Sequence, residues 1–562
     1  MRYLLLALAF SVGLPAVAEE KAAPVGQVDA VPEADAVISG RLKGLPVPTP
    51  PPIPKGIVMA VTSADPEAQK HVLAGLTNIH GGWDFEAYRH FCAALALDPD
   101  CLMAHWGVAV ALINAEPDLV DERNAALKRM IALVKADVGT DLEQAYAYSI
   151  AVFYERGAAA AAETIRKASV KFPNDLQLKL LTAAFGRSGY DEMGKANPDQ
   201  EKAESLLDEL LTSFPDHPLI LHAYLTIRAE APDLRGDLAR AERLCQLAPD
   251  YAPFLHLLGH YQLRNGNATQ AADAFARSAK LYQEWMEETK LGRVDCPGWV
   301  KAECYRAAAL AAKGDYANAL ATAKAVAAIE VKPERAGSEG GQLVMWEGRT
   351  LEARLLMRRG LKGDAALALK TLPDPAKQKP YEKVSHAVWF YQGLAIVLEA
   401  RKSLEEGKIN DARQIVDALT LHGERMGQTR QSASVAGERS TWSRGYNALE
   451  IAASEMRGAL AMAGPKDGIV SAFNWYRAAL DRQTSASMLM PPIALLPMET
   501  RLAEYYIARN EPKAAIDILI EAQAKYTHDV EILGRLQKAL EKAGEKEQAK
   551  LIKEQIEKVK SE

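Results

Sequence analysis

Glu67-Ala68-Gln69-Lys70-His71-Val72-Leu73-Ala74-Gly75, continued by Leu76 to His80, Gly81-Gly82-Trp83-Asp84-Phe85-Glu86-Ala87, Phe91, Ala94 and Asp98-Pro99-Asp100-Cys101, decides how this chain is read. The run predicts a helix, a glycine turn, a second helix, an Asp-Pro stop and a third helix that begins at once. Proline lacks the amide hydrogen that a helix interior needs, so Pro99 closes the second helix.

Gly75, Ala87, Phe91, Ala94 and Pro99 resemble, in register, a 34-residue tetratricopeptide unit. In that unit, small residues twelve apart let two helices approach closely, an aromatic and a further small residue fill the groove, and a proline ends the hairpin. The resemblance implies a stack, because one hairpin cannot bury its own apolar face. The expected fold is all-α, a right-handed α-solenoid of tetratricopeptide-type hairpins.

The rest of the chain repeats the pattern. Helices are expected from Asp100 to Asn114, Leu119 to Asp137, Asp141 to Tyr154, Glu163 to Phe172 and Leu176 to Phe185. Proline-bounded turns recur at Pro173, Pro215 and Pro249. A turn glycine followed five residues later by alanine appears at Gly266/Ala271, Gly314/Ala319, Gly360/Ala365, Gly407/Ala412 and Gly544/Ala549, with Asn510/Ala515 as a variant. This one offset, recurring at irregular intervals, predicts about eight or more degenerate repeats.

At 562 residues the chain exceeds what one compact core supports, so several domains or a linear array are expected, and its alanine-rich composition favours the array. A net charge of −6 supplies no basic field for a phosphate backbone, which argues against nucleic acid as a partner. Arg2, the apolar run Leu4–Phe10 and the small-residue site Ala16-Val17-Ala18 describe a cleavable secretory signal over residues 1–18. No later segment is apolar for the ~20 residues that a membrane span needs. The mature chain is thus expected to be soluble and exported, most simply to a periplasm.

Residues 19–56 carry Leu45-Pro46-Val47-Pro48-Thr49-Pro50-Pro51-Pro52-Ile53-Pro54 and read as a disordered, extended proline-rich linker. The solenoid follows over 57–422, a polar loop or irregular helix over 423–442, and further hairpins with a capping helix over 443–562. Met488-Leu489-Met490-Pro491-Pro492-Ile493-Ala494 reads as an apolar, non-helical joint before the last two hairpins.

His256 and His260 lie at i and i+4, a spacing that can hold copper or zinc through two ring nitrogens, and His80, His105 and His222 are further candidates from the same half. The alternative is that these histidines donate to carbonyls between stacked helices. Cys92/Cys101 and Cys296/Cys304 can each close a disulfide in an oxidising compartment or stand as buried thiols, and Cys245 makes the count odd. The eight tryptophans either fill the core or stack on a ligand. No nucleophile elbow, phosphate-binding loop or dinucleotide fingerprint is present, so no catalytic residue and no organic cofactor is expected.

Asp98-Pro99-Asp100-Cys101-Leu102-Met103-Ala104-His105-Trp106-Gly107 is similar to a stretch of a largely uncharacterised group of exported bacterial tetratricopeptide proteins. His256, His260, Arg264 and Gly266 match a second stretch of that group, with Pro253 where the group has a further histidine, and Met490-Pro491-Pro492 resembles its late Pro-Pro joint. The resemblance spans about Asp65 to Ala543 and implies a helical solenoid with no established reaction. The functional expectation is an exported, non-catalytic scaffold that binds a protein or peptide partner in a concave groove, with transition-metal binding by the histidines as the alternative.

Overall fold

The computed structural model describes residues 34–113, 119–191, 194–432, 438–465, 469–488 and 490–561. The expected signal, residues 1–18, and the start of the expected linker, residues 19–33, lie outside them. The chain divides into two compact units: one takes the chain up to Leu258 together with Glu284–Lys290, the other Gly259–Gln283 with Leu291–Glu562. Among the described residues the fold is all-α, with a single isolated antiparallel bridge between Tyr190 and Ala196.

The first unit is a succession of hairpins: Pro66–Gly81 with Asp84–Leu97, Leu102–Ala111 with Val120–Lys135, Asp141–Arg156 with Ala158–Lys171, Leu176–Gly186 with Pro198–Ser213, and Pro218–Arg228 with Leu238–Leu247. Local chemistry sets the ends. Asp65 accepts from the Glu67 amide at 2.7 Å ahead of Pro66, and Thr140 and Glu143 cap their helix reciprocally. Gly82, at φ 80°, supplies the left-handed residue that ends the first helix.

Packing follows the expected register. Phe91 is fully buried between Gly75 and Gly107, and a Cβ on Gly75 would lie 2.6 Å from the ring. Ala87 and Ala94 are likewise fully buried. One aromatic therefore reads two successive first helices at once, which is how one repeat specifies the next. The same unit departs from expectation in one respect: the first hairpin packs directly against the fifth, where a trough open along the row was expected. Tyr251 donates to Asn78 Oδ1 at 3.0 Å and His222 Nδ1 to the His80 carbonyl at 2.7 Å across this closure.

The segment from Ala34 to Val61 is not a free tether. It has no regular structure beyond two short turns, yet Val37, Ile53, Ile57 and Val61 are buried against the first hairpins.

The second unit pairs Pro297–Ala312 with Tyr316–Ala327, Arg349–Arg359 with Asp364–Thr371, Ala387–Glu405 with Ile409–Ser432, Arg439–Ala463 with Ile469–Arg482, Glu499–Ala508 with Pro512–Lys525, and Val530–Ala543 with Lys546–Ser561. Every turn glycine of the expected series has positive φ: 77° at Gly266, 91° at Gly314, 63° at Gly360, 76° at Gly407 and 88° at Gly544, with Asn510 at 61°. The alanine five residues later is buried in each case. The positive φ of the glycine turns the chain, and the small alanine lets the second helix close on the first. Residues 423–432 continue a long helix where a loop or irregular helix was expected, and a new helix starts at Arg439.

Replacing Gly107 by Ala puts a methyl into the Phe91 ring, whose other face already meets Gly75. Chemical unfolding of Gly107→Ala is expected to show a loss of roughly 1–3 kcal/mol, the range for overpacking a tight core.

Candidate functional site

Between the helices Ile469–Arg482 and Glu499–Ala508 the described residues, 483–488 and 490–498, form neither helix nor strand. A structureless connection of this length is uncommon inside a compact fold and usually carries function. It is also largely sheltered: Ala486, Pro491, Leu496, Pro497 and Met498 are buried. Proline removes donors, and an extended chain leaves its carbonyls unmatched, so these buried acceptors must be met by side chains.

Five side chains meet them. Arg264 donates to the Ala486 carbonyl at 3.3 Å, Tyr305 to Met490 at 2.5 Å, and Arg444 to Pro491 at 2.5 Å. Arg354 donates from one nitrogen to Pro492 at 3.1 Å and Ile493 at 3.0 Å, and Arg358 donates to Leu495. Tyr305, Arg354, Arg358 and Arg444 stand on the first helices of their hairpins. The first helices of these hairpins are thus bridged, in this unit, by a strap of the same chain.

The arginines are aimed by carboxylates. Val344–Gly348 is a π-helical turn, a widening often found at functional positions, and it brings Glu347 between Arg354 at 2.5 Å and Arg444 at 2.6 Å. Asp529 takes Arg358 through both oxygens at 2.8 Å. Burial alone would push the Glu347 carboxyl up, but two guanidinium groups outweigh it and hold it at about 2. A similar bridge joins Glu455 to Arg401 and Arg501 farther along the unit.

The first unit repeats the device. Tyr88, Arg89 and His90, consecutive on one helix, meet the Val37, Pro46 and Thr49 carbonyls at 3.0, 2.8 and 3.1 Å. Glu86 aims Arg89 at 2.7 Å and accepts from Trp285 at 2.9 Å. Here a single guanidinium does not offset burial, and the Glu86 carboxyl is pushed up.

The histidines expected as copper or zinc ligands are dispersed. His80 and His222 adjoin in the first unit, through the His80 carbonyl. His105 lies elsewhere and donates from Nε2 to the Pro99 carbonyl at 2.9 Å. His256 is buried in the first unit, and His260, in the second, lies edge-on to Tyr305. Among the described residues no three His, Cys, Asp or Glu side chains are arranged to hold a metal ion. Burial lowers His80 to about 3, and His222 and His105 to about 4, so these rings are neutral at ordinary pH. All five cysteines are buried thiols, and burial pushes Cys101 up to about 11. Trp106, Trp299, Trp346 and Trp442 fill core; Trp83, Trp285 and Trp389 are half-buried, and Trp475 is exposed.

The Pro-Pro joint was legible in the sequence, but the residues that grip it were not singled out. The available signal was arginine at 354 and 358, one turn apart in the apolar helix Leu351-Glu352-Ala353-Arg354-Leu355-Leu356-Met357-Arg358.

No family model matches the chain, and no curated protein does. Among solved structures it is similar to the human IFIT1 dimer with m7Gppp-AAAA, at TM-score 0.34 and 12% identity over 82% of this chain and 90% of that one. Yeast Tom70 matches at TM-score 0.31 and 10% identity, over 85% and 96% of the two chains. The APC/C hetero-tetramer Cut9–Hcn1 matches at TM-score 0.27 and 12% identity, over 84% and 90%. At scores this low the likeness carries no weight for the site.

Glu347→Gln leaves two buried guanidinium groups short of a counter-charge and is expected to cost about 3–5 kcal/mol at pH 7 in urea unfolding. Its folded pKa lies below the unfolded value, so the wild-type advantage is complete above about pH 4.5 and is lost as pH falls toward 2. The gap between the two proteins should therefore narrow across that window.

Proposed function

We propose that this chain is an exported, non-catalytic helical-repeat scaffold that binds a protein partner through an extended segment. The observation that carries the reading is the strap at 486–495, whose carbonyls are gripped by Tyr305 and arginines from successive first helices. Main-chain carbonyls are common to every polypeptide, so donors aimed at them recognise extended chain as such, while the apolar faces between helices select side chains. Arginine suits this role because its planar fork can serve two adjacent carbonyls, as Arg354 does.

The exported setting belongs to the same proposal. It is supported by the N-terminal apolar run with its small-residue site, by the similarity of Asp98–Gly107 to an exported bacterial group, and by thiols that are buried and hence slow to oxidise. Among the described residues no helix is long and apolar enough to cross a membrane.

An array of extended peptides probed with the full chain tests the reading. Tyr305→Phe removes one hydroxyl donor and nothing else, and peptide binding is expected to weaken roughly five- to tenfold. Arg477→Ala, on an exposed second helix, should leave binding unchanged; equal loss in both variants rejects the site. Mass spectrometry of the secreted chain is expected to find Glu19 as its first residue.

A further inference from the structure

The strap fits its cradle imperfectly. A half-open cleft of about 60 Å³ lies against it, lined by Phe390, Leu394 and Ile451, by the strap's own Ala494, and by charged side chains that include Arg354 and Glu455. The backbone contacts on either side of Ala494 are made, through Ile493 and Leu495, while Ala494 itself brings only a methyl group to the cleft it lines.

Resting on the proposed scaffold function, we infer that residues 486–498 are a displaceable self-ligand. The cradle's partner is then an extended, uncharged segment of another protein carrying Pro-Pro and an aliphatic residue, followed by a large aliphatic side chain where the strap has Ala494. Several features select that class. The grip is on carbonyls, which any extended chain supplies. Two consecutive prolines hold the chain extended and remove amide donors that the arginine-lined wall cannot accept. The cleft that Ala494 lines is mostly apolar, and its charged members Arg354, Arg358 and Glu455 are already in ion pairs, which rewards bulk without charge. Alanine at 494 keeps the internal ligand weaker than a well-filled external one, so the strap closes the site against non-specific chain and yields to a better fit. Because the strap is tethered, its local concentration is high, and only a ligand that binds distinctly better displaces it.

Fluorescence anisotropy with the full chain tests this, using labelled synthetic peptides that copy residues 486–498 with either Ala or Leu at the position of Ala494. The Leu peptide is expected to bind roughly tenfold tighter than the Ala peptide. In the protein itself, Ala494→Val should raise the melting temperature and weaken binding of the Leu peptide, since the internal ligand then fills its own cavity. Leu496→Ala and Ile493→Ala loosen the strap without touching the cradle helices; either should bind the Leu peptide more tightly than the wild type does, and having both guards against one failing to fold. Equal affinity for the two peptides overturns the inferred side-chain preference and leaves the scaffold reading standing. No binding of either peptide by the wild type or by a folded loosened variant overturns displacement itself. Binding to the loosened Leu496→Ala variant that persists unchanged when Tyr305→Phe is added places the peptide outside the cradle and rejects the scaffold reading with it.

Discussion

A sheltered carbonyl without a donor costs free energy comparable to a lost hydrogen bond, and this protein partly or fully buries several in segments that form neither helix nor sheet. The donors are guanidinium groups, two phenols and an imidazole projecting from helices that packing holds in place. In the second unit Arg354 and Arg358, one turn apart, reach Pro492, Ile493 and Leu495. In the first unit Arg89 and His90 reach Pro46 and Thr49. Two proline-bearing segments far apart in the chain are held by one kind of bond.

The carboxylates behind the arginines make that bond affordable. A buried guanidinium is costly unless it is paired and its remaining protons are satisfied. Glu347 serves two arginines at once, which is why its carboxyl stays ionised despite deep burial. Glu86 serves one, and burial prevails there. The contrast separates the two sites: the strap of the second unit is gripped mainly by arginines, the N-terminal segment of the first by Tyr88, Arg89 and His90 together with apolar burial at Val37, Ile53 and Ile57.

Helix packing supplies the frame on which these side chains stand. Phe91 between Gly75 and Gly107, Phe275 against Gly259 and Tyr476 against Gly458 are one motif: a ring from a second helix seated where a first helix has no Cβ. Each contact fixes the distance between neighbouring hairpins, and hence the spacing of the donors carried along the row. Of the histidines considered as metal ligands, His222 lies on the His80 carbonyl and His105 on that of Pro99, both within this frame.

Hairpin by hairpin, the amino-acid order alone determined the all-α repeat fold, the positive-φ turns at Gly266, Gly314, Gly360, Gly407 and Gly544, and the non-helical Pro-Pro joint, because each depends on residues within a few positions of one another. What lay beyond it was every partnership between distant positions. The sequence marked Met490–Ala494 as unable to form a helix but not that Arg444 and Tyr305 would satisfy its carbonyls. It marked Leu45–Pro54 as extended but not that Tyr88, Arg89 and His90 would hold that segment down. Periodicity reports which face of a helix is buried, and only the folded chain settles which buried groups meet, since a side chain–carbonyl bond leaves no repeating trace in the order of residues.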